Sequence, residues 1–167
     1  MSAKEWKWGY INPAGEFVIA AQFHGAWDFH EGLAAVKIDW ARGYINHDGE
    51  MVIAPQFEKA GPFVNGVAKV MIDGTVRYID KSGNFVDDGD GVFYEELTLP
   101  PADENILKKY FEAGTQSEHL IRVKKTASSK WGYVNESGSQ VIKSAFKQAK
   151  DFHEGLAAVL VAVDASE

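Results

Sequence analysis

The stretch Trp8–Asp39, WGYINPAGEFVIAAQFHGAWDFHEGLAAVKID, returns in edited form three more times along a chain of 167 residues. Aligned on Tyr10, Tyr44, Tyr78 and Tyr133, the copies stand 34, 34 and 55 residues apart, and Gly15, Gly49, Gly83 and Gly138 keep the same steps. A repeat of this length is one supersecondary unit that cannot bury its apolar face alone, so the copies must pack together around a shared core. That requirement bounds the fold before any single motif does.

Each copy opens on a short strand, Trp8-Gly9-Tyr10-Ile11-Asn12 in the first, and runs into turn chemistry. In Asn12-Pro13-Ala14-Gly15 the Asn accepts from nearby backbone, the Pro presets φ and the Gly takes the left-handed conformation, a pattern that predicts a type I turn with a glycine bulge between two strands. The pattern recurs at Asn46-His47-Asp48-Gly49, Asp80-Lys81-Ser82-Gly83 and Asn135-Glu136-Ser137-Gly138. About twelve residues of non-periodic chain follow, carrying Phe23, Ala26 and Phe29 or their counterparts, and are read as a crossing loop pinned by its rings. A glycine then precedes a third strand at Leu33–Val36, Val67–Val70 and Leu156–Val159, whose Ala34, Ala68 and Ala157 predict a close approach between layers.

The third strand leads by a short turn into the next copy, so it is expected to pair with the first and second strands of that copy. The sequence opens on a first strand and closes on a third, which makes its two ends complementary. The expected fold is all-β: four tandem repeats of about 34 residues, each a hairpin plus a third strand, in a closed propeller- or barrel-like array or, failing closure, an open solenoid-like one. The repeats run over 8–39, 42–73, 76–125 and 130–164 within a single domain, 1–167. An aromatic share of 13% suits pleated surfaces.

Repeat three departs from its siblings. Its first-strand glycine is replaced by Arg77, and an insert spans residues 87–116. The insert begins with the acidic run Asp87-Asp88-Gly89-Asp90-Gly91. It continues through Pro100-Pro101 into Ala102–Ala113, where Ile106, Leu107, Tyr110 and Phe111 fall at helical spacing and predict one short amphipathic helix.

The motifs Lys7-Trp8-Gly9-Tyr10-Ile11 and Lys130-Trp131-Gly132-Tyr133-Val134, with the downstream Phe29-His30-Glu31-Gly32-Leu33 and Phe152-His153-Glu154-Gly155-Leu156, resemble the WG-repeat (KWG) family of bacterial proteins. The resemblance covers nearly all of the chain outside the insert. It implies a β-rich module, often joined to other domains or exported, without a shared catalytic apparatus. Arg42 and Val76 stand where the family has Trp.

Chemistry is sparse by comparison. His30-Glu31 and His153-Glu154 occupy equivalent positions, but no His-x-x-x-His spacing supplies a second metal ligand locally. Asp87, Asp88 and Asp90 lack the spacing of a calcium loop. Carboxylates such as Asp28, Glu31, Asp151 and Glu154 are available for acid–base work, yet no nucleophile elbow, P-loop or dinucleotide fingerprint accompanies them. No catalytic residue, metal or cofactor is therefore assigned.

With 24 acidic against 17 basic side chains, the net charge of −7 repels a phosphate backbone and an anionic membrane surface, so neither nucleic acid nor membrane insertion is expected. The chain has no cysteine and no secretion pattern, and reads as cytoplasmic, or as exported where a signal peptide has been removed. The functional expectation is a non-catalytic binding or scaffold module for a protein partner, with carbohydrate or cell-wall binding as the alternative and a hydrolase third. Its contact residues are expected among the aromatics that do not serve the repeat: Trp27, Trp40 and, in the insert, Tyr94, Tyr110 and Phe111.

Overall fold

The computed structural model describes residues 3–94 and 118–165, together with the backbone of 112 and 113. Among these the regular structure is strand apart from Tyr94, which is 3-10, and there is no α-helix. In chain order the strands are β1 (Lys4–Ile11), β2 (Phe17–Phe23), β3 (Gly25–Ala26), β4 (Ala34–Ile38), β5 (Ala41–Ile45), β6 (Met51–Phe57), β7 (Lys59–Val64) and β8 (Val67–Ile72). They continue as β9 (Thr75–Asp80), β10 (Phe85–Val86), β11 (Glu112–Ala113), β12 (Leu120–Lys124), β13 (Trp131–Asn135), β14 (Gln140–Phe146), β15 (Gln148–Ala149) and β16 (Ala157–Asp164).

Four antiparallel sheets of four strands result, in the orders β3-β4-β5-β6, β7-β8-β9-β10, β11-β12-β13-β14 and β15-β16-β1-β2. The third strand of each copy pairs with the first strand of the next, as its sequence predicts: β4 meets β5 from Ala34↔Ile45 to Ile38↔Ala41, and β8 meets β9 from Val67↔Asp80 to Ile72↔Thr75. By the same rule β16 pairs with β1, from Lys4↔Asp164 to Ile11↔Ala157. Among the described residues the chain groups into two compact units, one within Met1–Gln22 and Leu99–Glu167 and one within Phe23–Thr98.

The connections are not loops. Part of each lies back along its own third strand as a short fourth strand, β3, β7, β11 or β15. The reason is backbone satisfaction, because buried amides need acceptors. The His24 amide donates to the Lys37 carbonyl at 2.9 Å and the Trp27 amide to the Ala35 carbonyl at 3.0 Å, with Lys147 and Lys150 repeating both bonds to Leu160 and Ala158. Buried rings at Phe23 and Phe29 anchor the segment at its ends.

The hairpins form as expected. Gly15 has φ +84° and its amide donates to the Asn12 carbonyl at 2.9 Å. The Asn12 side-chain oxygen accepts from the amides of Ala14 and Glu16 at 3.1 and 3.0 Å, and Asn46, Asp80 and Asn135 repeat the arrangement.

The glycine of the Trp-Gly pair has a tertiary cause. Arg42 faces Phe57 while Tyr44 faces Ile53, so β6 carries extra residues opposite Gly43 and bulges over it. A Cβ there would meet the Ile53 carbonyl and the Pro55 nitrogen, the latter at 2.8 Å, and Gly9 and Gly132 are covered in the same way. In repeat three the covering strand β10 stops after Val86, and Arg77 lays its guanidinium 3.8 Å from the Phe85 ring centre. The Gly-to-Arg departure and the insert thus share an origin.

Each unit has its own core. In one, Tyr44 sits edge-on to Phe63 at 4.9 Å and Phe57 at 6.4 Å, and donates its hydroxyl to the Gly61 carbonyl at 2.7 Å. In the other, Tyr133 meets Phe152 at 5.0 Å and Phe146 at 6.3 Å, and donates to the Lys150 carbonyl at 2.7 Å. Tyr78, the counterpart in repeat three, is only half-buried. The start of the insert packs rather than projects: Gly89 lies against Val67 and Tyr78, Gly91 against Lys69, and the Val92 carbonyl against Gly61. The helix expected over Ala102–Ala113 lies outside the described residues except at Glu112–Ala113, which is strand β11.

Candidate partner-binding surface

The repeated His-Glu-Gly segment is turn machinery. Glu31 and Gly32 have φ values of +53° and +86°, and Asn65-Gly66 and Glu154-Gly155 match them. Two successive left-handed residues define the two-residue turn that favours Asn-Gly, which explains both the glycine and the Asn65 variant. His30 and Leu33 close this turn with reciprocal backbone bonds of 2.9 and 3.1 Å. The Glu31 carboxylate accepts from the Gly66 amide at 2.9 Å, and Glu118 accepts from Gly155 at 2.8 Å, so one copy's turn clasps the next.

Asp151 is buried in an ion pair with Arg122, 3.0 Å from its Nε, and Arg122 also donates to the Ala149 carbonyl at 3.0 Å. Among the described residues no group of three or more His, Cys, Asp or Glu side chains is placed to hold a metal ion. A depression of about 240 Å³ is lined by His119, Asn135, Glu136 and Ser137, with the exposed His119 imidazole 2.7 Å from the Glu136 carboxylate.

The candidate rings divide sharply. Trp40, in the turn between β4 and β5, is 87% exposed. Tyr94 is buried, not on the surface: its hydroxyl donates to the Asp28 carbonyl at 2.6 Å and accepts from the Ala35 amide at 3.4 Å. It pins the start of the insert onto the core. Trp27 is half-buried, 6.2 Å from the Tyr94 ring and with the Arg42 guanidinium 4.2 Å from its own centre. Tyr110 and Phe111 lie outside the described residues.

Trp27 and Arg42 explain one another. In the copy built on β1, Trp8 on the first strand receives Lys150 from the connection at 5.4 Å. Arg42 occupies the place of Trp8, and Trp27 the place of Lys150, so the ring and the cation have exchanged positions. Two departures from the repeat are one preserved contact.

Trp40 has a counterpart that reading the repeat from Trp8 onward conceals. Trp6 stands one period of 34 residues before it, and it too is exposed, at 46%. Position 40 is therefore a repeat position, filled by Gly74 and Ser129 in the remaining copies. The turn that carries Trp40 is held from below: His24 Nδ1 accepts the Asp39 amide at 2.9 Å, and Glu58 does the same for Gly74 at 3.0 Å.

Four-stranded sheets linked third strand to first, with rings buried at a fixed period and others standing on firm turns, define an all-β repeat protein. The family model described as "WG containing repeat" matches residues 8–39, 43–75 and 131–161, more than half of the chain, and the chain belongs to that family. All of repeat three falls outside the matches, where the bulge, the Trp-Gly glycine and the usual connection are all altered. No curated protein and no solved structure matches the chain.

Proposed function

We propose that this WG-repeat domain is a binding module for a protein partner, with Trp40 as its principal contact. The observation that carries the reading is the exposure of Trp40, 87%, on a turn whose backbone is fixed by His24. A large ring held out on a rigid β surface loses little conformational freedom on binding and removes much apolar area from water. Carbohydrate binding through exposed tryptophans would use Trp27 and Trp40, and the face of Trp27 is taken by Arg42. That favours the protein reading.

The test is capture of a partner from native extract by tagged wild-type protein, by Trp40→Ala and by a Tyr110→Ala/Phe111→Ala double variant, each shown to be folded by circular dichroism. Loss of a specific partner with Trp40→Ala is the expected result. Undiminished capture by both variants would remove Trp40 and the insert rings from the interface.

A further inference from the structure

Deepening the protein-binding reading on which it rests, we infer that Trp40 is a seat for an arginine or lysine side chain of a basic segment of that partner. Every other tryptophan in the chain carries a cation of the chain's own. Lys147 lies 4.1 Å from the centre of Trp6, Lys150 5.4 Å from Trp8, Arg42 4.2 Å from Trp27, and Arg122 and Lys124 5.0 and 5.6 Å from Trp131. Among the described residues no cation lies on Trp40.

The internal counterpart shows how the vacancy arises. Trp6 is the repeat equivalent of Trp40, and the cation that covers it, Lys147, is the repeat equivalent of His24. His24 does not turn to the ring. Its Nδ1 takes the Asp39 amide at 2.9 Å, and its Nε2 lies 3.9 Å from the Asp39 carboxylate. The tryptophan is kept at this repeat position, standing on a turn where Trp6 stands on strand β1, while its cation is replaced by a histidine committed elsewhere.

The charge around the ring suits an incoming cation. A guanidinium or ammonium is drawn to the face of an indole by its quadrupole. Asp39, whose side chain is 63% exposed, precedes Trp40 in the same turn and supplies a carboxylate beside it. Lys37 and Arg42 form the last but one pair of that hairpin, and Arg42 is held on Trp27. The chain as a whole carries −7, which steers basic segments towards it.

The test follows the indole N–H resonances of the full chain, with that of Trp40 identified by Trp40→Phe. The ligands are a peptide of alternating glycine and arginine, the same peptide with citrulline, and a cello-oligosaccharide. The arginine peptide is expected to move the Trp40 resonance most, and Trp40→Ala to weaken its binding by about threefold to tenfold. Asp39→Asn should weaken it less, and citrulline should leave Trp40 in place. Equal shifts from citrulline and arginine, or equal arginine affinity in Trp40→Ala, would overturn the assignment, as would a shift from the sugar alone. Partner capture lost in Trp40→Ala with no arginine effect would reject the cation and keep the protein interface. Arginine binding at Trp40 without any captured partner would reject the protein reading and keep the cation seat.

Discussion

Single residues in this chain are constrained for reasons that differ even when the residue type is the same. Gly43 is needed because the β6 backbone crosses it, whereas Gly66, with φ +81° and open space where a Cβ would stand, is needed only for its backbone conformation. Gly43→Ala must displace main chain and should cost about 2–4 kcal/mol, against about 1 kcal/mol for Gly66→Ala, as read from urea denaturation midpoints. Tyr44 is a second case. Burial holds its phenol well above the usual tyrosine range, against a smaller opposing pull from Arg42. Its stabilising contribution is complete below the unfolded-state value of 10.0. Above that pH the unfolded chain releases a proton that the folded chain keeps, so stability falls by about 1.4 kcal/mol per pH unit from this residue. Tyr44→Phe should lose about 1–3 kcal/mol at neutral pH by stranding the Gly61 carbonyl, and should show a shallower alkaline decline than wild type.

At the level of elements, equivalent sheets keep contacts while exchanging the residues that make them. The Trp8–Lys150 pair and the Arg42–Trp27 pair occupy the same two places in opposite order. Arg42→Trp and Trp27→Lys should each destabilise alone, and together should recover stability, with a coupling of about 0.5–2 kcal/mol in a double-mutant cycle. Additive losses would mean that the contact is incidental. The turns obey a similar economy, since His24 and Glu58 cap successive outer turns from one repeat position. Asp80 takes the place that Asn holds in the other three hairpin turns, and its carboxylate is held below the usual range, chiefly by the Asn84 amide and side chain.

Across the whole molecule the pairing rule reaches beyond neighbours. β16 is the third strand that serves β1, with eight residue pairs in register over a separation of nearly the full chain. Removing 161–167 should take the β16 partners from Lys4–Lys7 while sparing those of Trp8–Ile11, and removing 157–167 should strip β1 of its whole β16 side. With β2 still beside β1, thermal denaturation should report a modest loss for the first truncation and a much larger one for the second. A second truncation that melts like wild type would show that this sheet is dispensable.

The sequence by itself determined the repeat, its period, the hairpin turns and the third-to-first pairing, because these rest on local turn chemistry and on spacing that recurs in every copy. Rings that not every copy shares were the harder matter. Trp27, Trp40 and Tyr94 carry no local sign of whether they face core or solvent, since that depends on which residue another copy brings opposite them. Tertiary structure decided that Tyr94 pins the insert, that Trp27 receives Arg42, and that Trp40 alone among the tryptophans stands without a cation among the described residues. It also supplied the bulge that makes the Trp-Gly glycine necessary and the fourth strand hidden in each connection, both of which arise from backbone meeting backbone and leave no mark in side-chain periodicity.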